Sequence, residues 1–206
     1  MVNIYERLVL PRLVAVSCGN KALAPLRERV CATLHGNIIE IGFGSGSNIG
    51  YYPSKVDCVV AVEPSDVAWR LSAKARSTSP VKVVRGSVDG ERLTDADGSF
   101  EGALSTFTLC TIPDPAAALA ELHRVLKPGG KLHFLEHGLA PDERVQQWQH
   151  RIEPAQKFFA GGCHLTRSTE SMLNDAGFRM SELQTFYQPG VPRFEGAFSL
   201  GTAVRD

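Results

Sequence analysis

Three groups of residues in this sequence stand where they could do chemistry. A carboxylate, Glu40, runs directly into glycines at every second position, Glu40-Ile41-Gly42-Phe43-Gly44-Ser45-Gly46. A second carboxylate, Glu63, ends the apolar run Val59-Val60-Ala61-Val62 at roughly the 20-residue distance at which an acid meets a ribose in nucleotide-binding α/β units. Two histidines, His137 closing the run Leu132-His133-Phe134-Leu135-Glu136 and His164 in a glycine-led loop, carry rings that titrate near neutrality. Glycines so spaced permit positive φ and let a ligand rest against bare backbone. A carboxylate at Glu63 can accept from two vicinal hydroxyls at once. The combination describes a loop for a small-molecule cofactor that bears a sugar, with His137 as candidate general base and His164, beside Arg167, at a pocket rim or lid.

The elements that must hold these groups follow from apolar periodicity and breakers. Ile38 to Ile41 reads as a buried parallel strand that turns at the glycines and opens a helix capped by Ser47 or Asn48. Further strands are expected over 57–62, 81–85 with a Gly86-Ser87 exit, 99–106 and 131–137. Asp114-Pro115 supplies an N-cap and N1 proline for a helix over 116–126, which stops at Lys127-Pro128-Gly129-Gly130. Ahead of the first strand, one helix is expected over about 3–17, with Pro11 kinking or restarting it, and another over 23–34. Beyond His137 come a helical stretch over 141–159 with Pro154 as a break, a joint at Gly161-Gly162, a capped helix over 168–176, and strands over about 180–187 and 196–204.

Length and composition narrow the classes. At 206 residues the chain suits one α/β domain, long enough to bury about 70% of its unfolded surface. Lys plus Arg balance Asp plus Glu at 22 each, with no basic run, which argues against a nucleic-acid partner. Five cysteines without a C-x-x-C pair indicate neither a metal site nor a disulfide framework, and a reducing, cytoplasmic setting is expected. The apolar opening stretch is interrupted by Arg7, Pro11 and Arg12, so no transmembrane segment is expected, and peripheral membrane contact is left open. The sequence carries no signal for an oligomeric state.

The glycine spacing decides against a dinucleotide loop, because G-x-G-x-x-G would need glycine where Ser47 or Ile49 stands. The pattern acidic-x-Gly-x-Gly-x-Gly resembles instead the class I S-adenosylmethionine-dependent methyltransferases. The string Glu121-Leu122-His123-Arg124-Val125-Leu126-Lys127-Pro128-Gly129-Gly130 is similar to a structural segment of that family and covers no chemistry. The resemblance spans about Tyr5 to Ala203. Within it, Thr108-Leu109-Cys110, Phe134-Leu135-Glu136-His137 and Gly162-Cys163-His164-Leu165-Thr166-Arg167 look like a subgroup of alkyl-thiol methyltransferases and relatives of lipid or quinone methyltransferases.

The resemblance implies a Rossmann-like, doubly wound sheet of seven strands, mostly parallel with an antiparallel last strand. It divides a single domain into N-terminal helices over the cleft (1–35), a cofactor core (36–137) and substrate-side elements (138–206). It implies S-adenosylmethionine (product S-adenosylhomocysteine) as cofactor, held by Glu40, Gly42, Gly44, Gly46, Asn48, Glu63, Pro64, Gly86, Ser87, Val88, Thr106 and Phe107. Ser87 replaces the family's usual aspartate at the adenine edge, so either backbone grips adenine or Asp89 takes over. Leu109 and Cys110 would wall the acceptor pocket, and Tyr5 is a further candidate for the cleft. The implied reaction is methyl transfer to a small, hydrophobic acceptor, a thiol, phenol or amine. A catalytically silent sensor or scaffold that binds the cofactor is the alternative.

Overall fold

A computed structural model describes residues 9–206, apart from the Phe159 side chain, so Tyr5 and the start of the first expected helix lie outside the described residues. Seven strands form one sheet in the order β3-β2-β1-β4-β5-β7-β6. The strands are β1 (Gly36–Ile41), β2 (Val56–Val62), β3 (Lys82–Arg85), β4 (Phe100–Thr106), β5 (Leu126–His137), β6 (Phe178–Tyr187) and β7 (Ala197–Arg205). β1 to β5 pair in parallel, and β7 slots between β5 and β6 antiparallel to both. This is the mixed, doubly wound sheet that the resemblance implied.

Both faces of the sheet are covered, which is why β1 reads as an unbroken apolar run and not as an alternation. Ile38 packs on one face with Leu26, Val30 and Leu135, whereas Ile39 and Ile41 pack on the other with Leu119, Leu122 and Phe134. The first face is covered by α2 (Ala24–Cys31), the second by α5 (Pro115–Val125) and α7 (Thr169–Asp175). The chain winds outward from β1 to β3 and then returns to β4 on β1's other side. That return creates the switch point at which open α/β sheets bind ligands, beyond the carboxyl ends of β1 and β4.

Several boundaries differ from expectation for identifiable reasons. α1 (Leu10–Cys18) begins beside Pro11, where its missing N–H is no loss, and the expected start of that helix at about residue 3 lies outside the described residues. Asn20 caps a 3-10 turn over Lys21–Leu23, and Pro25 then starts α2, so the helix expected over 23–34 is shorter. The glycine turn opens only a 3-10 turn over Ile49–Tyr51 with no side-chain cap. The Asn48 amide is engaged elsewhere, and Pro53 forecloses a longer helix. β5 begins at Leu126, five residues early, because Leu126 pairs with Phe100 across a register shift. Pro154 lies inside the continuous α6 (Glu143–Phe159) without ending it. Two short helices follow β2 and meet at Ser72, the C-cap of α3 (Asp66–Leu71) and the residue before α4 (Ala73–Thr78). No helix among the described residues is long and apolar enough to cross a membrane.

Candidate active site

A cavity of about 630 Å³ opens beyond the carboxyl ends of the parallel strands, within the size range of small-ligand sites. Its walls come from the glycine turn after β1, the exit of β2, the loop 88–91, the loop 106–113 after β4, one side of α1, and Ala160-Gly161 at the end of α6.

The glycine turn needs its glycines for two different reasons. Gly42, Gly44 and Gly46 all have positive φ, at 65°, 59° and 77°. At Gly42 an added Cβ would sit 1.9 Å from Thr108 Oγ1, and at Gly46 it would sit 2.5 Å from Ile49 Cδ1, so these two permit close packing inside the protein. At Gly44 an added Cβ would meet nothing nearer than the Gly42 carbonyl oxygen at 3.8 Å. Gly44 lines the cavity, so its bare backbone leaves room that a ligand can take.

Glu63 directly follows β2 at the cavity wall. The Gly44 amide donates to its Oε2 at 2.7 Å and the Ser65 amide to its Oε1 at 2.7 Å. Burial raises its pKa, opposed by those two amides and by Arg85. Each oxygen keeps a second acceptor site, so the carboxylate is fixed in place and still able to take a pair of hydroxyls.

Arg27, on α2, is the principal residue that the sequence reading missed. It is 3% exposed and lines the cavity. Its guanidinium donates to Asn48 Oδ1 at 2.5 Å and to the Cys18 carbonyl at 2.7 Å, while Nε is buried without a hydrogen-bond partner among the described residues. Asn48 in turn donates to Glu40 Oε1 at 2.9 Å and to Thr106 Oγ1 at 3.0 Å. Glu40 also accepts from the Tyr52 hydroxyl, and burial pushes its carboxyl up to about 7 against Tyr52, Asn48 and Arg27. Glu40 therefore reaches the cavity only through Asn48. A cation so enclosed, whose nearest carboxylate is relayed through an amide, leaves a place for an anionic ligand group.

The loop after β4 is held rigidly. Glu136, fully buried at the end of β5, accepts from Ser105 Oγ at 2.6 Å and from the amides of Thr108 and Leu109 at 2.9 and 3.1 Å. Arg167 donates to the carbonyls of Leu109 and Ile112 at 2.7 and 2.8 Å. Between these braces Phe107 has φ 54°, an unusual conformation for a bulky residue, and its ring meets Phe198 edge-on at 5.2 Å.

Of the residues named from sequence, Gly42, Gly44, Asn48, Glu63, Pro64, Val88, Thr106 and Phe107 line the cavity, and Glu40, Gly46, Gly86, Ser87, His137 and His164 do not. Gly86 permits close packing on Val60, whose Cγ1 an added Cβ would meet at 2.5 Å. The Ser87 hydroxyl accepts from the Thr94 amide at 3.0 Å and shapes the 87–94 loop, whose Val88 and Asp89 reach the cavity instead. His137 is buried with Nδ1 3.3 Å from Cys163 Sγ; burial works against its charged form, but the thiol contact prevails and raises its pKa. The Cys163 thiol is pulled below its ordinary range, chiefly by the Cys110 thiol and then by His137. His164 Nδ1 lies 3.6 Å from Glu153, on the far side of the loop, and burial and Arg167 lower its pKa. Leu109 and Cys110, expected to wall the acceptor pocket, are both buried and neither lines the cavity; the Leu109 backbone is held by the Glu136 and Arg167 contacts.

Comparison with known proteins places this geometry. Residues 39–134, from β1 through most of β5, match the methyltransferase domain family. Thiol S-methyltransferase TMT1B of Rattus norvegicus is 35% identical over 82% of this chain and 70% of its own length. Thiol S-methyltransferase TMT1A of Homo sapiens is 31% identical over 74% and 64%. The crystal structure of a Thermotoga maritima SAM-dependent methyltransferase, described as a possible histamine N-methyltransferase, superposes with a TM-score of 0.67. It is 26% identical, with 98% of each chain covered. The turn Gly42 to Gly46, the fixed acid at Glu63 and these likenesses agree: the chain belongs to the class I S-adenosylmethionine-dependent methyltransferases, and S-adenosylmethionine is its methyl donor.

Proposed function

We propose that this enzyme methylates the sulfur of a small, apolar thiol. In the cofactor cradle, Glu63 takes the ribose hydroxyls, and the bare backbone at Gly44 lies against the nucleoside. The guanidinium of Arg27, which lines the cavity, takes the carboxylate of the methionine moiety. Val88 and Asp89 flank the adenine. S-adenosylmethionine supplies an electrophilic methyl group on a sulfonium sulfur; the acceptor sulfur bonds to that carbon as the old carbon–sulfur bond breaks, leaving S-adenosylhomocysteine and a thioether. The protein's part is to fix both partners and exclude water, and in model reactions such positioning removes roughly 7–11 kcal/mol of barrier.

The observation that carries the thiol reading is the makeup of the cavity beside α1. Leu10, Pro11, Val14, Ala15, Ile112 and Pro113 form that region, and neither His137 nor His164 lines it. A thiol, with a reference pKa of about 8.5, is a few per cent ionised at neutral pH and can lose its proton to solvent. A phenol near 10 or an aliphatic alcohol would need a base held against it. The likeness to thiol S-methyltransferases supports the same acceptor atom.

The test compares matched alkyl thiols, phenols and primary amines by release of S-adenosylhomocysteine. Thiols are expected to exceed phenols of similar size in kcat/KM by at least tenfold. With thiols of differing acidity, the inflection of the pH profile is expected to move with the acceptor. A phenol or amine preferred over every thiol, or an inflection that stays put as the acceptor changes, would overturn the assignment.

A further inference from the structure

Behind the loop that follows β4, three metal-binding side chains from three separate parts of the fold converge. Cys110 lies in that loop, His137 is the last residue of β5, and Cys163 follows the glycine pair at the exit of α6. All three are buried, and one ligand atom from each lies within 4.8 Å of the other two. His137 Nδ1 and Cys163 Sγ are 3.3 Å apart. In a tetrahedral centre with metal–sulfur bonds of about 2.3 Å and metal–nitrogen bonds of about 2.0 Å, the donors stand roughly 3.5–3.8 Å from one another. The histidine–cysteine pair is already near that spacing, and a contraction of about 1 Å suffices for the widest separation that the group allows.

We propose that Cys110, His137 and Cys163 form a binding site for a thiophilic divalent metal ion of the zinc class. Two thiolates and an imidazole are the donors that select such ions over magnesium or calcium. The surroundings suit the complex formed: Leu165, Ile152 and Ala160 pack on the two cysteines. Each thiol releases its proton to solvent on coordination, so two thiolates cancel the charge of a divalent ion and leave a neutral group that apolar walls can enclose.

The supporting shell holds the donors in place without the ion. The His164 amide donates to the Cys110 carbonyl at 2.7 Å, tying the two cysteine-bearing segments together. The Glu136 and Arg167 contacts fix the loop on either side of Cys110. Three protein donors leave the fourth tetrahedral position to a non-protein ligand. No short-range spacing announces the site, because His137 and Cys163 lie 26 residues apart and Cys110 comes from a third segment. Ala160 both packs against the cysteine cluster and lines the cavity, so the site lies behind the cavity wall with Ala160 between them.

The test uses the full chain, reduced and freed of metal with a chelator. Cobalt(II) titrated into it is expected to give intense sulfur-to-metal charge-transfer absorption in the near ultraviolet, saturating at one equivalent and abolished by stoichiometric zinc. Zinc affinity, measured by competition with a chromophoric chelator, is expected to fall at least a hundredfold in Cys110→Ser and in Cys163→Ser and to stay within twofold in Cys58→Ser. Zinc is expected to raise the melting temperature of the natural chain and to leave that of Cys163→Ser unchanged. Absence of the cobalt band in the natural chain overturns the proposal whether or not the variants fold. Zinc binding that survives in both Cys110→Ser and Cys163→Ser also overturns it.

Discussion

A guanidinium nearly sealed from solvent is unfavourable unless an anion meets it, and among the described residues Arg27 hydrogen-bonds only to an amide, a carbonyl and a distant hydroxyl. If its partner is the carboxylate of the methionine moiety, its loss is felt only by ligands that carry that carboxylate. Arg27→Met is therefore expected to weaken S-adenosylhomocysteine binding at least tenfold, about 1.4 kcal/mol. Methylthioadenosine, which lacks the carboxylate, should stay within about twofold. Equal losses for both ligands in titration calorimetry would show that Arg27 only supports the fold. Sequence could not single this arginine out, because its side-chain partners Asn48 and Thr106 lie 21 and 79 residues away and α2 reads as an ordinary packing helix. The position of Glu63 at the cavity wall was legible because a strand end and a glycine turn are both written locally.

At the scale of elements, the turn after β1 has two jobs that substitution can separate. Gly42→Ala forces a Cβ into Thr108 at a left-handed φ, so it is expected to destabilise the fold by about 2–4 kcal/mol. The melting temperature should fall by about 5 °C or more. Gly44→Ala carries the same backbone penalty, about 1–2 kcal/mol, without a clash, and its added methyl should lower S-adenosylhomocysteine affinity at least tenfold. Gly44→Ala melting lower than Gly42→Ala, or retaining full affinity, would reverse those roles. The loop after β4 was placed correctly by the sequence but its bracing was not visible. Glu136 and Arg167 act on it from β5 and from the segment before α7, and long-range hydrogen bonds leave no periodic trace. The helix expected after the glycines failed for a similar reason, since Asn48 looks like a cap in isolation but is claimed by Arg27, Glu40 and Thr106.

For the molecule as a whole, apolar runs covered on both faces made the order of strands and helices readable, and the switch point between β1 and β4 located the cavity. What no run encodes is the buried polar network beneath that cavity, and pH reports on it. Glu40 is raised by burial from an ordinary 4.5 to about 7, so the folded chain holds this proton where the unfolded chain has lost it. Its contribution to stability is complete below about 4.5 and fades as pH rises through about 7. Glu40→Gln keeps a hydrogen-bonding side chain but cannot titrate. The difference in melting temperature between variant and natural chain should shift in the variant's favour from pH 4.5 to 7 and level off above. A shift in the opposite sense would mean that Glu40 is ionised in the fold at low pH.

The central claim is that the cavity holds the methyl donor's nucleoside with Glu63 on its sugar, and calorimetric titration of the chain with S-adenosylhomocysteine addresses it directly. One molecule bound per chain is expected, with affinity at least tenfold lower in Glu63→Ala, a difference of about 1.4 kcal/mol. Affinity of Glu63→Ala within twofold of the natural chain, or a nicotinamide dinucleotide bound more tightly than S-adenosylhomocysteine, would contradict it.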